Sequence, residues 1–180
     1  MREILTNLKA HRLLYCLVQL RYLPSDRPYT LPGYLRRFNV THWDEFNGRD
    51  IRQMAFQQAR RTTCNFCDTP IAPHSTGDHL IPKAAGGSDN AANHLAMCRS
   101  HNSSKGAKDL IQWWTDSAPL SALDRDILCT YSRLRYQLCR DQGTLDDPAP
   151  PFLADALREE LGRYATKDRA AILKSAGWEG

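Results

Sequence analysis

Cys64-Asn65-Phe66-Cys67 and Cys98-Arg99-Ser100-His101 bracket a segment that contains Asp78-His79-Leu80-Ile81-Pro82, Gly86-Gly87-Ser88-Asp89-Asn90 and Asn93. Each bracketing pair spaces two metal-type ligands by two residues, and about thirty residues separate the pairs. A two-residue interval lets both members of a pair reach one ion from a tight turn, and zinc takes four soft or borderline ligands. The spacing therefore predicts a Cys₃His zinc site made by Cys64, Cys67, Cys98 and His101, with His74 as an alternative fourth ligand. Four protein ligands leave no open position, so such a zinc holds structure together and does not catalyse.

A redox role for Cys64 and Cys67 would need a βαβ setting that the flanking sequence lacks, and would leave the downstream Cys-x-x-His unexplained. From Thr62 to Ser100 helical periodicity disappears, and Cys, His, Gly, Pro and Asn replace it around short β-compatible pieces such as Gly77 to Ile81. Gly86-Gly87 reads as a reversal at positive φ. The chemistry is expected between the two pairs.

Outward from this segment the chain reads as helix. Ile4, Leu5, Leu8, Leu14, Leu17 and Val18 sit at largely helical spacing from Glu3 to Leu20, with Lys9 and Arg12 on the polar side. Turn signals around Pro24, Pro28 and Pro32-Gly33 separate it from a helix over about 50–61, preceded by a capping-box pattern at Thr41 and Asp44. Helix returns over 101–115 and again over 121–141, where Leu123, Ile127, Tyr131, Leu134 and Leu138 recur every three or four residues. Asp146-Asp147-Pro148-Ala149-Pro150-Pro151 reads as a linker, followed by two short helices ending near Gly177. Trp113 and Trp114 are expected to pack against neighbours, and Cys16, Cys129 and Cys139 to be small buried hydrophobes.

The 180 residues, 42% hydrophobic and 24% charged, are ordinary for one globular unit and argue against wholesale disorder. A formal charge of +4 permits a polyanionic partner without requiring one. The apolar run from Leu13 to Leu20 follows basic residues as a signal peptide would, but no small-residue cleavage site follows it and it is too short for a bilayer. With paired rather than spread cysteines, the expectation is a soluble cytoplasmic protein that engages no membrane.

The order of Asp78-His79, Gly86-Gly87, Asn93 and Asn102, interleaved with the two ligand pairs, resembles the signature of the HNH endonucleases over Cys64 to Gly106. The resemblance implies a ββα-metal core with Asp78 and His79 on the first strand of a hairpin and Asn102 near the start of the following helix. It implies His79 as the general base that deprotonates the attacking water, and Asp78 with Asn102 as ligands of one catalytic Mg²⁺ or Mn²⁺. Asn93 would fix the loop and orient His79 by hydrogen bonding without touching the metal. Two positions depart from the commonest pattern. His101 stands where the family often has cysteine, and Asn102 where it often has histidine; a neutral amide oxygen is the weaker ligand.

The expected fold class is therefore α+β and mostly helical, a ββα-metal core with a structural zinc flanked by helices. The expected division is an N-terminal helical region 1–61, a nuclease core 62–116 and a C-terminal helical region 117–180 with its proline-rich linker at 146–151. Resemblance favours DNA over RNA as substrate. Relatives serve in restriction and anti-phage defence, among other settings, and an ungated nuclease endangers its host. A regulating or targeting protein partner is thus expected, an ATPase of a defence system being one candidate. The rival expectation is a zinc-dependent nucleic-acid or protein-binding module without catalysis.

Overall fold

The computed structural model describes residues 5–21, 31, 33, 55, 57–58, 60–71 and 77–178. The expectations for Pro24 to Pro28, Thr41, Asp44 and His74 fall outside these residues. The fold is α+β, mostly helical with one small antiparallel sheet. It comprises two compact units: among the described residues, one takes those up to Gly33 and from Ala118 onward, the other those from Ala55 to Ser117.

In the first unit the central element is α1, Asn7–Leu20. The Thr6 hydroxyl caps it by accepting from the Lys9 amide. Ala10, Leu13, Leu14, Cys16, Leu17 and Val18 are all buried, which takes in more than one stripe of the helix. A helix buried on several sides needs several neighbours, and among the described residues α1 packs against α4 (Arg125–Asp141), α5 (Pro151–Gly162) and α6 (Thr166–Ser175). Asp124 starts α4 by accepting from the amides of Asp126 and Ile127. Its buried face runs through Ile127, Leu128, Tyr131, Tyr136 and Cys139, while Leu134 and Leu138 are only half-buried.

The proline-rich stretch is not a free linker. The amides of Asn7 and Leu8, two of the donors that a helix start leaves unpaired, donate to the carbonyls of Asp147 and Leu145 at 2.8 and 2.9 Å. The Ala149 amide donates to Leu5 O at 2.7 Å. The segment thus closes the N-terminus of α1, then enters α5 with Pro151 in its first turn, where a missing N–H costs nothing. At the other end of α1, the Arg21 guanidinium donates to Leu120 O and Leu123 O at 2.8 Å each.

The second unit contains β1 (Asp78–His79), β2 (His94–Leu95), α2 (Arg99–Lys105) and α3 (Leu110–Thr115). The strands pair antiparallel with Asp78 opposite Leu95 and His79 opposite His94. The helix expected over 101–115 is broken in two. Gly106 ends α2, and the Asp109 carboxylate caps α3 by accepting from the Ile111 amide. Leu80, Ile81, Leu95, Met97, Leu110 and Ile111 form a small apolar core. No helix among the described residues is long and apolar enough to cross a membrane.

Candidate metal and catalytic centre

Two turns deliver the Cys₃His donors. In the first, Cys64 N donates to Thr69 O and Asp68 N to Cys64 O, a reversal that puts Asp68 at φ 54°. Arg61 braces it by donating to Thr63 O, Cys64 O and the Asp68 carboxylate. In the second, Cys98 occupies the position before α2, so His101 falls in the first turn of that helix. The Asn65 amide groups join the two turns through Ala96 O at 2.9 Å.

Cys64 Sγ lies 3.5 Å from His101 Nδ1, Cys98 Sγ 3.2 Å from the same nitrogen, and Cys67 Sγ 3.8 Å from Cys98 Sγ. All four donor atoms lie within 4.8 Å of one another. A tetrahedral zinc with bonds of about 2.3 Å to sulfur and 2.0 Å to nitrogen needs donors roughly 3.3–3.8 Å apart, so the cluster can hold a metal such as zinc. Hydrogen bonds from the Thr69 side chain and backbone draw the Cys67 thiol down to about 6. Cys98 is raised, because burial and the neighbouring thiols outweigh the His101 amide that favours its thiolate. Phe66 sits against the rings of His101, Trp113 and Trp114, with centroids 5.7, 4.9 and 5.5 Å away. Trp113 is buried and donates to Ser104 Oγ, so this aromatic cluster packs α3 onto the metal turns.

The loop from Ile81 to Asn93 is fixed by one buried amide. Asn93 Oδ1 accepts from Ile81 N, and Nδ2 donates to Ile81 O and Ser88 O, each at 2.9 Å. Both amide hydrogens are consumed, so Asn93 acts on the loop backbone and has none left for the His79 ring. The turn is as close as the chain allows. Gly86 adopts φ 87°, and a Cβ on Gly87 would stand 1.9 Å from Ile81 O and 2.9 Å from Asn93 Nδ2.

His79 is partly exposed, its ring edge-on to that of His94 with centroids 4.4 Å apart. Its Nε2 meets Asp89 Oδ1 at 3.1 Å and His94 Nε2 at 3.0 Å. Lys83 Nζ also reaches Asp89 Oδ1, at 2.6 Å. Hydrogen bonds from Lys83 and then His79 hold the Asp89 carboxyl below its usual range, while burial, and after it the neighbouring His79 and Lys83, lower His94.

Asp78 points elsewhere. Its Oδ1 accepts from the His79 amide at 2.7 Å, and its Oδ2 stands 3.1 Å from Lys105 Nζ. The Lys105 side chain is wholly buried. The pair balances charge, yet neither Asp78 Oδ2 nor Lys105 Nζ makes a well-formed hydrogen bond. Asn102, half-buried, precedes Lys105 by one helical turn and so shares its face of α2. Asp78 and Asn102 share no hydrogen bond among the described residues.

The sequence signal for Lys105, Asp89 and His94 was weaker. Nothing in the sequence marks Lys105 as a buried partner of Asp78, Asp89 belongs to a turn, and His94 gains meaning only when the hairpin register sets it opposite His79. No family model, curated protein or solved structure matches this chain.

Proposed function

We propose that the chain is an HNH-type, metal-dependent endonuclease that hydrolyses phosphodiester bonds in DNA. The observation that carries this reading is the ordering of one compact unit. Asp78-His79 forms the first strand of an antiparallel hairpin, and the helix that follows the second strand sends Lys105 back to Asp78. The Cys₃His donors, with a structural zinc bound, would replace much of the core that so small a unit lacks.

His79 is the base in this reading. Its imidazole removes a proton from the water that attacks phosphorus, and the new Nε2–H donates to the Asp89 carboxylate 3.1 Å away. Asn93 positions His79 indirectly by fixing the loop backbone. Asp78 and Asn102 are the residues that would hold a Mg²⁺ or Mn²⁺ ion, and the buried, poorly hydrogen-bonded Asp78 Oδ2 is a suitable ligand atom. Such an ion supplies charge neutralisation at the phosphate and the leaving oxygen. Lys105 contributes a fixed positive charge beside the same carboxylate.

That charge also favours a second reading. Because Lys105 already neutralises Asp78, the unit can be a zinc-dependent nucleic-acid or protein-binding module that never takes a catalytic ion. The two readings part on one assay. Supercoiled plasmid is incubated with Mg²⁺ or Mn²⁺ and either the wild type or His79→Ala, and nicked and linear DNA are measured. Metal-dependent cleavage by the wild type, lost in a folded His79→Ala, is expected. Equal cleavage by both, or DNA binding without cleavage under either ion, overturns the nuclease reading. Gating by a partner in a defence or restriction system is part of the proposal, so the cleavage by the chain alone should be weak, and vigorous cleavage of bare DNA would remove that part.

A further inference from the structure

His79, Asp89 and His94 form a second convergence of ligand-type side chains, apart from the Cys₃His donors. His79 Nε2, Asp89 Oδ1 and His94 Nε2 all lie within 4.8 Å of one another. The backbone sets this up. The hairpin register places the two histidines on directly opposed positions, and Asn93 ties down the loop that carries Asp89 by its bonds to Ile81 and Ser88.

No tautomer of the two histidines gives His79 Nε2 an unshared hydrogen bond to both partners: His94 Nε2–H can donate to it only when its lone pair also faces the Asp89 carboxylate. His79 Nε2 carries at most one hydrogen, yet it faces both a carboxylate oxygen and a second imidazole nitrogen. If that hydrogen is present, two acceptors share it. If it is absent, the Nε2 lone pair faces the Asp89 carboxylate. A divalent ion among the three would engage every lone pair at once.

We propose that His79, Asp89 and His94 form a three-ligand site for an imidazole-seeking transition ion, Zn²⁺ in preference to Mg²⁺. Two imidazoles and one carboxylate suit zinc and its first-row neighbours, whereas Mg²⁺ favours oxygen ligands throughout. Three protein ligands leave a fourth position open, and the site lies at the surface. Lys83 gives way readily, because its ion pair with Asp89 is exposed and such pairs contribute little. An ion on His79 Nε2 occupies the lone pair that proton abstraction needs, so excess zinc silences the base. That consequence rests on the proposed role of His79; the binding of the ion does not.

The test measures metal without DNA. Wild type, His94→Ala and Asp89→Asn are dialysed to equilibrium against Zn²⁺, and bound metal per chain is determined. In parallel, Co²⁺ is titrated and followed by absorption, where thiolate-to-cobalt charge transfer reports the Cys₃His donors alone. The wild type is expected to hold two ions per chain and each variant one, with the thiolate band intact. A single ion in the wild type, or a second ion retained by both variants, overturns the proposal. Should His94→Ala lose the thiolate band as well, it has not folded, and Asp89→Asn, altered in an exposed turn, decides. Absence of nuclease activity leaves this outcome untouched, and loss of the second ion leaves the plasmid assay untouched.

Discussion

The helical unit and the hairpin unit are held together by different physics. In the helical unit, Leu14, Leu17, Leu128, Tyr131, Leu153, Leu157 and Ile172 are almost completely buried, and burial of side chains of this size contributes roughly 1.5–3 kcal/mol each. In the hairpin unit two-residue strands pair over a short apolar core, and much of the order comes from polar atoms at fixed places: four metal donors, one asparagine amide and a buried ion pair. Apolar packing is distributed and tolerates small changes. A polar framework concentrates stability in a few groups, and loses it abruptly with any of them.

The largest separation between the two should come from removing metal. Chelation of metal-loaded protein is expected to abolish near-ultraviolet dichroism from Trp113 and Trp114 and to open residues 60–117 to proteolysis, while most far-ultraviolet helical signal survives. Simultaneous loss of both signals would show that the helical unit also depends on the ion. A smaller effect is expected from Asn93→Ala. It removes three hydrogen bonds and leaves the buried N–H and C=O of Ile81 unsatisfied, which costs about 3 kcal/mol. Amide exchange across 80–95 should accelerate by about two orders of magnitude, with exchange in α1 and α4 unchanged.

The smallest effect tests the helical unit through His11, a buried histidine of α1. Burial, with the Arg135 charge second, lowers His11 to about 3, well below its usual 6.5. Above pH 6.5 the folded and unfolded forms are both neutral at this group, and its contribution is complete. As pH falls the unfolded chain takes the proton first, so stability is lost progressively from 6.5 down to about 3. By pH 5 the loss should be about 2 kcal/mol. Urea unfolding of the wild type and His11→Gln, followed by far-ultraviolet dichroism, checks this: the variant should lack that part of the slope. Equal slopes would mean that His11 takes a proton in the folded protein.

What could be read from sequence divides along the same line. Paired Cys and His at fixed intervals announce a metal site because ligands on a tight turn have few other geometries, and the four donors do converge. Helical periodicity located α1 and α4 because their buried faces repeat locally. It gave too long a helix over 101–115, where the Gly106 stop and the Asp109 cap outweigh the periodic residues. Nor could composition reveal that 145–149 closes the start of α1, since the pairing joins residues far apart in the chain. The environment of His79 was the least legible part. Asp89 and His94 reach His79, and Lys83 reaches Asp89, through a register and a turn that exist only once the hairpin has formed.

Asn93 also has a bearing on errors in folding. A hairpin this short could slip by one residue, and a slip turns every side chain on a strand to the opposite face. In any shifted register the amide of Asn93 would lose its match to Ile81 and Ser88, and the void that Gly87 leaves at Ile81 O would be displaced. One side chain thereby reads the backbone on both limbs of the loop and is satisfied in a single alignment. It works as a check on the chain's own pairing, since only the native alignment satisfies it.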